Sequence, residues 1–195
     1  MEYDCGKLSQ CVDVCGEGMK VQVLENVLPD HVRRSALAAF PLPAWEHWHK
    51  YQNGKLASVD QCRVPPACRI ALEQLAVNIP LEQGFFDLSL HGAGMHLMPA
   101  GTHLGEHKDA THHPRLNWKR LESLVYFLED GEGGELIVEG QAIVPRKNTA
   151  VIFAANQSHS VTMTLRDRKT LSLFVFDHDE GVKGTTTATF TEVTT

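Results

Sequence analysis

The sequence predicts a mainly β protein with packed helices, built as an antiparallel sandwich or barrel for which a jelly roll is one option. From residue 85 onward, short runs rich in β-branched, aromatic and aliphatic residues are separated by turn sequences such as Pro99–Gly101 and Gly131–Gly134. Short strands at this spacing are typical of such antiparallel folds. Helical patterns come before residue 85, so we expect the helices to pack on one face of a sheet.

Two segments of the first third have the features of helices. The first is residues 31–40, with Asp30 at or near its N-cap, and the second opens at Pro65–Pro66. On the second, apolar residues share one face at helical spacing: Cys68, Ala71, Leu72, Leu75 and Ala76. The aromatic-rich segment Trp45–Gly54 lies between the two and is predicted to be a loop or irregular segment.

The remaining chain divides into strands and a tail. The predicted strands are Phe85–His91, Gly94–Met98, Leu121–Leu128, Glu135–Glu139, Ala150–Phe153, Ser158–Thr164 and Lys169–Phe176. A length of 195 residues fits a single domain, 1–195. Within it we expect a helix-containing support over 1–84, a catalytic core over 85–177, and a tail or extra strand over 178–195.

Composition and charge narrow the class of protein. Hydrophobic residues make up 43 % and charged residues 22 %, which are globular values and exclude a largely disordered chain. The net charge of −6 argues against non-specific binding of nucleic acid or anionic membranes. No apolar stretch is long enough to span a membrane, and residues 1–5 do not resemble a secretory signal.

The cysteines and histidines predict where the protein works and where its chemistry lies. Five cysteines, an odd number in a chain able to build a core, indicate reduced thiols and a cytoplasmic location. Cys11 and Cys15 have no second pair of matching spacing, so they give little support to a zinc site. The 11 histidines are concentrated between His91 and His178, where we expect the chemistry.

A set of three metal ligands is the main chemical prediction. Residues i and i+2 of a strand point to the same side, so His107 and Asp109 can present an imidazole and a carboxylate to one point. His159 follows 52 residues later, after enough short strands to return the chain to the same place in a barrel. Two histidines and one carboxylate on one face of a metal leave open positions and suit Fe(II).

A second predicted element is a basic, hydroxylated strand face. Arg168, Thr170 and Ser172 share one side of the last long strand, while Leu171, Leu173 and Val175 share the other. A guanidinium beside a hydroxyl inside a small barrel can hold a carboxylate through paired hydrogen bonds. The alternative is a surface arginine on a solvent-facing edge.

An ordered series of short motifs resembles a known family. The motifs are His107-x-Asp109, Leu124–Leu128, Gly133–Leu136, His159–Val161 and Arg168-x-Thr170. Together they resemble the Fe(II)- and 2-oxoglutarate-dependent dioxygenases, and are closest to the prolyl-4-hydroxylase-like branch. The resemblance covers roughly residues 85–177.

The resemblance implies a double-stranded β-helix, the jelly-roll or cupin-like core of that family. His107, Asp109 and His159 would bind Fe(II), and 2-oxoglutarate and O2 would occupy the remaining positions. Arg168 would pair with the distal carboxylate of 2-oxoglutarate, with Lys169 as a weaker alternative. The family often has a tyrosine on the strand before the metal motif. Leu97 or Met98 stands there in this chain, so Tyr126 is the candidate for that contact, alongside Thr170.

The implied activity is hydroxylation of a substrate C–H bond with release of succinate and CO2. The substrate would be peptidyl, an amino acid or a small molecule, with His103, Arg115 and Trp118 as candidate contacts. Two other interpretations stay open: a metal-dependent cupin enzyme without 2-oxoglutarate, either a dioxygenase or an isomerase, and a non-catalytic module that binds metal or a small acid.

Overall fold

Two antiparallel sheets and two helices form the described part of the chain. The structure, a computed structural model, describes residues 21–40, 47–51, 54–59, 64–89 and 91–177, and for 47–51 and 54–59 the backbone alone. The helices are α1 (Asp30–Ala38) and α2 (Pro66–Asn78). The strands are β1 (Val21–Glu25), β2 (His47–Tyr51), β3 (Gly54–Val59), β4 (Phe85–Asp87), β5 (Ala93–Met98), β6 (Leu104–His107), β7 (Lys119–Phe127), β8 (Leu136–Val138), β9 (Gln141–Ile143), β10 (Thr149–Ala154), β11 (His159–Val161) and β12 (Arg168–Asp177).

The strands divide into a major and a minor sheet. The major sheet runs β1-β10-β7-β12-β5-β3-β2, with β4 also paired to β12, and the minor sheet runs β6-β11-β8-β9. Every pairing in both sheets is antiparallel, as expected for a jelly roll.

Alternation along β12 separates the two cores. Leu171, Leu173 and Val175 are buried in the core between the major sheet and the helices. Arg168 instead lies beside Met98 and Phe127, which belong to the second core, between the two sheets. The strand therefore has one apolar face under the helices and one functional face in the jelly-roll interior.

The two predicted helices are present, but they do not precede the strands as a separate segment. β1 comes before α1, and β2 and β3 lie between α1 and α2. Pro29 occupies the N-cap of α1, and Asp30 is its first residue, where it pairs with Arg33 and Arg34. The predicted apolar face of α2 is confirmed by the complete burial of Cys68 and Leu75.

The prediction of a loop over residues 45–54 was wrong for the part that the structure describes. Residues 47–51 form β2, and residues 54–59 form β3. β3 pairs with β5 in the register Ala57 opposite Leu97, and β2 pairs only with β3. β5, the strand through which β3 joins the major sheet, is distant in sequence, so local composition does not predict this pairing.

Some predictions fall outside the described residues. They concern the possible zinc ligands Cys11 and Cys15 and the tail or extra strand over 178–195. Of the helices that are described, none is both long and apolar enough to cross a membrane.

Candidate metal and cosubstrate site

Three potential metal ligands meet between the two sheets. One ligand atom from each of His107, Asp109 and His159 lies within 4.8 Å of the other two. His107 ends β6 and His159 begins β11, and these residues are directly opposite each other in the minor sheet. Their ring centroids are 4.2 Å apart. The pairing of β6 with β11 thus brings together histidines that are far apart in the sequence.

Backbone hydrogen bonds fix the tautomer of both histidines. His107 Nδ1 is 2.9 Å from the carbonyl oxygen of Gly105, and His159 Nδ1 is 3.1 Å from that of Gln157. A carbonyl oxygen only accepts, so in each pair Nδ1 carries the hydrogen. The lone pair of the neutral ring is then on Nε2, which is the arrangement of a metal-binding histidine with its other nitrogen held by a backbone carbonyl.

Asp109 is held in place by the major sheet. The residue follows the end of β6, and Ser123 of β7 donates a hydrogen bond to its Oδ2 at 2.5 Å. The same oxygen is 3.8 Å from His159 Nε2. The expectation that His107 and Asp109 share a strand face was therefore wrong in its reason, because Asp109 lies beyond the strand and Ser123 orients its carboxylate.

The surroundings of His159 favour its neutral form. Burial is the main cause that lowers the pKa of His159, and His107 acts in the same direction, whereas Asp109 opposes it. Arg120 is buried with its guanidinium carbon 3.7 Å from the ring centroid of Phe174. Burial lowers the pKa of Arg120 as well, and the charge of Asp109 opposes this shift. Arg120 thus contributes positive charge near Asp109.

Arg168 is a buried cation that forms no ion pair with the residues that the structure describes. Its Nε and Nη2 have no hydrogen-bond partner within the described part of the chain, and its Nη1 has only Met98 Sδ at 3.9 Å. Its guanidinium carbon is 5.0 Å from the ring centroid of Phe127. Burial lowers the pKa of Arg168 to about 10, so the group is still charged at neutral pH. A buried charge of this kind is costly unless a ligand pairs with it.

The three residues predicted to bind 2-oxoglutarate do not all lie together. Thr170 is buried in register with Phe127 and His96, on the same face of β12 as Arg168. Tyr126 faces the opposite way, into the core under the helices, and its hydroxyl donates to Asn148 Oδ1 at 2.7 Å. Adjacent residues of a strand point to opposite faces, and Phe127 takes the interior position. The structure therefore does not bring Tyr126 to this site.

The candidate substrate contacts lie in the connections between strands. His103 is half-buried in the connection between β5 and β6, and Arg115 is exposed in the connection between β6 and β7. Trp118 packs edge-on against Phe85 with ring centroids 5.0 Å apart, and also lies near His113. These contacts give Trp118 a packing role, and all three assignments stay predictions.

Sequence reasoning missed several polar residues of this interior. Ser123, which holds Asp109, and Arg120 lie on β7, and His96 and Ser172 form a hydrogen-bonded pair across β5 and β12, with His96 Nε2 2.6 Å from Ser172 Oγ. The sequence pattern places Ser172 on the same strand face as Arg168 and Thr170 but indicates no role for it. The alternation of β5, with Met95 and Leu97 in the helix-side core, is the signal that would have placed His96 inside.

Fold and site together define a class of protein. The donor set of two histidines and one carboxylate is the one that suits non-haem Fe(II), and the buried, unmatched guanidinium of Arg168 suits the far carboxylate of a 2-oxo acid. A jelly roll carrying both is an iron- and 2-oxo-acid-dependent oxygenase.

Comparison with known proteins agrees with this class. Residues 93–176 match the family model of the 2OG-Fe(II) oxygenase superfamily. The protein is thus a dioxygenase of a type that uses Fe(II), 2-oxoglutarate and O2. A search of curated proteins finds no match to this sequence.

Solved structures share the fold at low sequence identity. A prolyl-4-hydroxylase from Pseudomonas putida is 20% identical, with a TM-score of 0.59 over 82% of this chain and 93% of that one. A prolyl hydroxylase from Trichoplax adhaerens, solved with a peptide fragment of the hypoxia inducible factor oxygen degradation domain, is 14% identical, with a TM-score of 0.57 over 80% and 83%. An α-ketoglutarate-dependent non-haem epimerase from nogalamycin biosynthesis is 15% identical, with a TM-score of 0.57 over 80% and 76%.

Proposed function

We propose that this protein hydroxylates a C–H bond of a peptidyl, amino-acid or small-molecule substrate and converts 2-oxoglutarate to succinate and CO2. One observation carries the proposal: the cluster of His107, Asp109 and His159 and the unmatched cation Arg168 occupy one jelly-roll interior. We further propose that the three clustered residues bind Fe(II) and that Arg168, beside Thr170, binds the distal carboxylate of 2-oxoglutarate. A cytoplasmic location stays a prediction from the cysteine content.

The protein's part in the reaction is to bind and orient. When bound, iron, 2-oxoglutarate and O2 supply the oxidation of the substrate C–H bond. The backbone carbonyls of Gly105 and Gln157 hold the two imidazoles so that Nε2 faces the metal position. Ser123 holds the Asp109 carboxylate, and the buried ring of Phe153 packs with its centroid 4.8 Å from that of His159.

The carboxylate ligand favours hydroxylation over halogenation. In the halogenating members of the family that this chain resembles, this carboxylate is absent and chloride binds in its place. Asp109 is present and its oxygen lies near His159 Nε2. The prolyl hydroxylases among the similar folds support a peptidyl substrate, and the epimerase is an example of a reaction other than hydroxylation on a similar fold.

The first test is an anaerobic titration of the Fe(II)-loaded protein with 2-oxoglutarate. We expect the weak visible charge-transfer band of the chelate to appear and saturate. Succinate released on admission of air, without added substrate, is the second readout. Iron binding with no band would contradict the proposal and favour a cupin enzyme that does not use 2-oxoglutarate.

A pair of charge reversals assigns the role of Arg168. Arg168→Glu should bind iron normally and lose the band, because the pocket would then repel the distal carboxylate. Arg166→Glu is the matched control, since Arg166 is largely exposed and pairs with Glu132 at the surface. Equal 2-oxoglutarate affinity in Arg168→Glu and Arg166→Glu would contradict the assignment.

A further inference from the structure

A hydrogen-bonded pair, His96 and Ser172, lies in the middle of the functional face of the major sheet. His96 Nε2 and Ser172 Oγ are 2.6 Å apart. Ser172 is buried and His96 is half-buried. A Cβ on Gly94 would lie in ordinary van der Waals contact with the pair, 3.4 Å from His96 Nε2 and 3.6 Å from Ser172 Oγ, so the pair packs closely against this position of β5.

The strand register places this pair between the two ends of the site. Arg168 is opposite Met98, Thr170 is opposite His96, and Ser172 is opposite Gly94 on β5. On the other side of β12, Phe174 is opposite Ser123, whose hydroxyl holds Asp109. Arg168 therefore lies at one end of this face of β12, and Ser123 of the neighbouring strand β7 lies at the other end.

A ligand that reached from Arg168 to the metal position would extend along this face of β12 toward Ser123. Thr170 and Ser172 are the hydroxyl residues of β12 between those ends, and both are buried. Met98 and Phe127 are apolar neighbours of the guanidinium. Beyond Thr170, which follows Arg168 on this face, Ser172 and His96 are polar side chains that the oxygen atoms of such a ligand would meet.

The chemistry of the pair suits an acceptor-rich ligand. A serine hydroxyl both donates and accepts, and a neutral imidazole has one N–H. When His96 Nε2–H donates to Ser172 Oγ, the hydroxyl hydrogen of Ser172 is directed away from the ring. Carboxylate and oxo oxygens only accept, so they can receive that hydrogen.

We propose that Ser172 is a further binding residue for the 2-oxo acid and that His96 is the residue that positions its hydroxyl. This inference rests on the proposed function, because it concerns the same cosubstrate. It assigns a role to a histidine at an interior position and replaces the contact that sequence reasoning gave to Tyr126.

The test compares 2-oxoglutarate dissociation constants measured anaerobically with Fe(II)-loaded variants. Ser172→Ala and His96→Leu should each weaken binding about 3- to 10-fold, the effect of one lost neutral hydrogen bond. The double variant should be no weaker than the single ones, since the two residues act as a unit. His96→Gln, which keeps a side-chain amide able to bond to Ser172, should recover most of the affinity.

The controls separate this inference from misfolding and from the proposed function. His31→Leu changes an exposed histidine on α1 and should leave 2-oxoglutarate affinity unchanged, and all variants should bind Fe(II) like the unmodified protein. Normal affinity in both Ser172→Ala and His96→Leu would overturn the inference while the proposed function stands. Absence of the band in the unmodified protein would overturn both.

Discussion

At the scale of single residues, Arg168 shows a conflict between stability and binding. A guanidinium enclosed by Met98 and Phe127, with two nitrogens unpartnered in the part of the chain described here, destabilises the protein before any ligand arrives. Proteins retain such a desolvation cost at functional sites, where a bound ligand offsets it. The same burial strengthens the attraction to a carboxylate, because water does not compete for the charge.

Replacement of Arg168 should therefore separate the two properties. We expect Arg168→Met to stabilise the unliganded protein by about 1–4 kcal/mol, since a thioether fits the apolar wall without a desolvation cost. The same variant should bind 2-oxoglutarate at least 10-fold more weakly, because the charge pair is lost. Urea unfolding and anaerobic titration measure the two effects. A destabilised Arg168→Met would contradict this account.

At the scale of elements, the turn before β8 packs against the side chain of Arg168. Gly134 has φ +69°, and a Cβ there would lie 2.9 Å from Thr164 Cγ2 and 3.1 Å from Arg168 Cδ. Its backbone N–H donates to the carbonyl oxygen of Met163. A glycine is required at this position both for its backbone conformation and for the space that the arginine occupies.

Two glycine variants distinguish these requirements. Gly140, in the turn between β8 and β9, has φ +82° but no heavy atom within 4 Å of its Cβ position. Gly134→Ala and Gly140→Ala should both lose stability, by about 1 kcal/mol from the backbone conformation. Only Gly134→Ala should also weaken 2-oxoglutarate binding, because its Cβ displaces Arg168. Equal affinities in the two variants would show that the turn does not position the arginine.

The connection between β6 and β7 is anchored by a buried histidine. His113 Nδ1 accepts hydrogen bonds from the backbone N–H groups of Arg115 and Leu116, and its Nε2 is 3.5 Å from Asp87 Oδ2. Because Nδ1 already accepts, a proton there would break both bonds. Burial is the main cause that lowers the pKa of His113, and Asp87 opposes the shift.

The sign of the pH effect follows from this shift. The unfolded chain takes up a proton near pH 6.5 that folded His113 resists, so its contribution to stability is full above that pH and is lost as the pH falls below it. His113→Asn offers an amide oxygen to the same backbone groups and does not titrate. Urea midpoints at about pH 7.5 and about pH 5.5, with chelator present, should fall further for the unmodified protein than for His113→Asn.

At the scale of the whole molecule, the site joins the two sheets. His107 and His159 belong to the minor sheet, whereas Arg168 and the Ser123 hydroxyl that holds Asp109 belong to the major sheet. If a metal and a dicarboxylate bind between them as proposed, they would connect the two sheets in addition to the apolar core around Phe127 and Phe153. Ligand binding should therefore stabilise the whole fold.

Linkage gives the size of that stabilisation. Ligand present at 100 times its dissociation constant adds about 2.7 kcal/mol to the free energy of unfolding. For a chain of this size, this is roughly 5–10 °C in Tm. Anaerobic melting with Fe(II) and 2-oxoglutarate should show the increase, and a chelator should reverse it. 2-Oxoglutarate without metal should give a smaller shift, and an equal one would argue against chelation.

The sequence by itself determined seven of the strands, the two helices and the identity of the clustered residues His107, Asp109 and His159, but not β1, β2, β3, β6 or β9. The strands and helices follow from the local alternation of apolar residues and from turn residues. The three clustered residues follow from a spacing of histidine and aspartate that is typical of Fe(II) ligands. The resemblance to 2-oxoglutarate oxygenases came from the same short motifs, and the family match over 93–176 confirms it.

Only the tertiary structure decided which partners these residues have. The placement of Tyr126 under the helices, the hold of Ser123 on Asp109, and the pairing of His96 with Ser172 all join strands distant in sequence. β2 and β3 likewise belong to the major sheet because β3 pairs with β5, which is distant in sequence. Strand register sets which side chains meet, and register is fixed by the packing of both sheets together, which no local pattern contains.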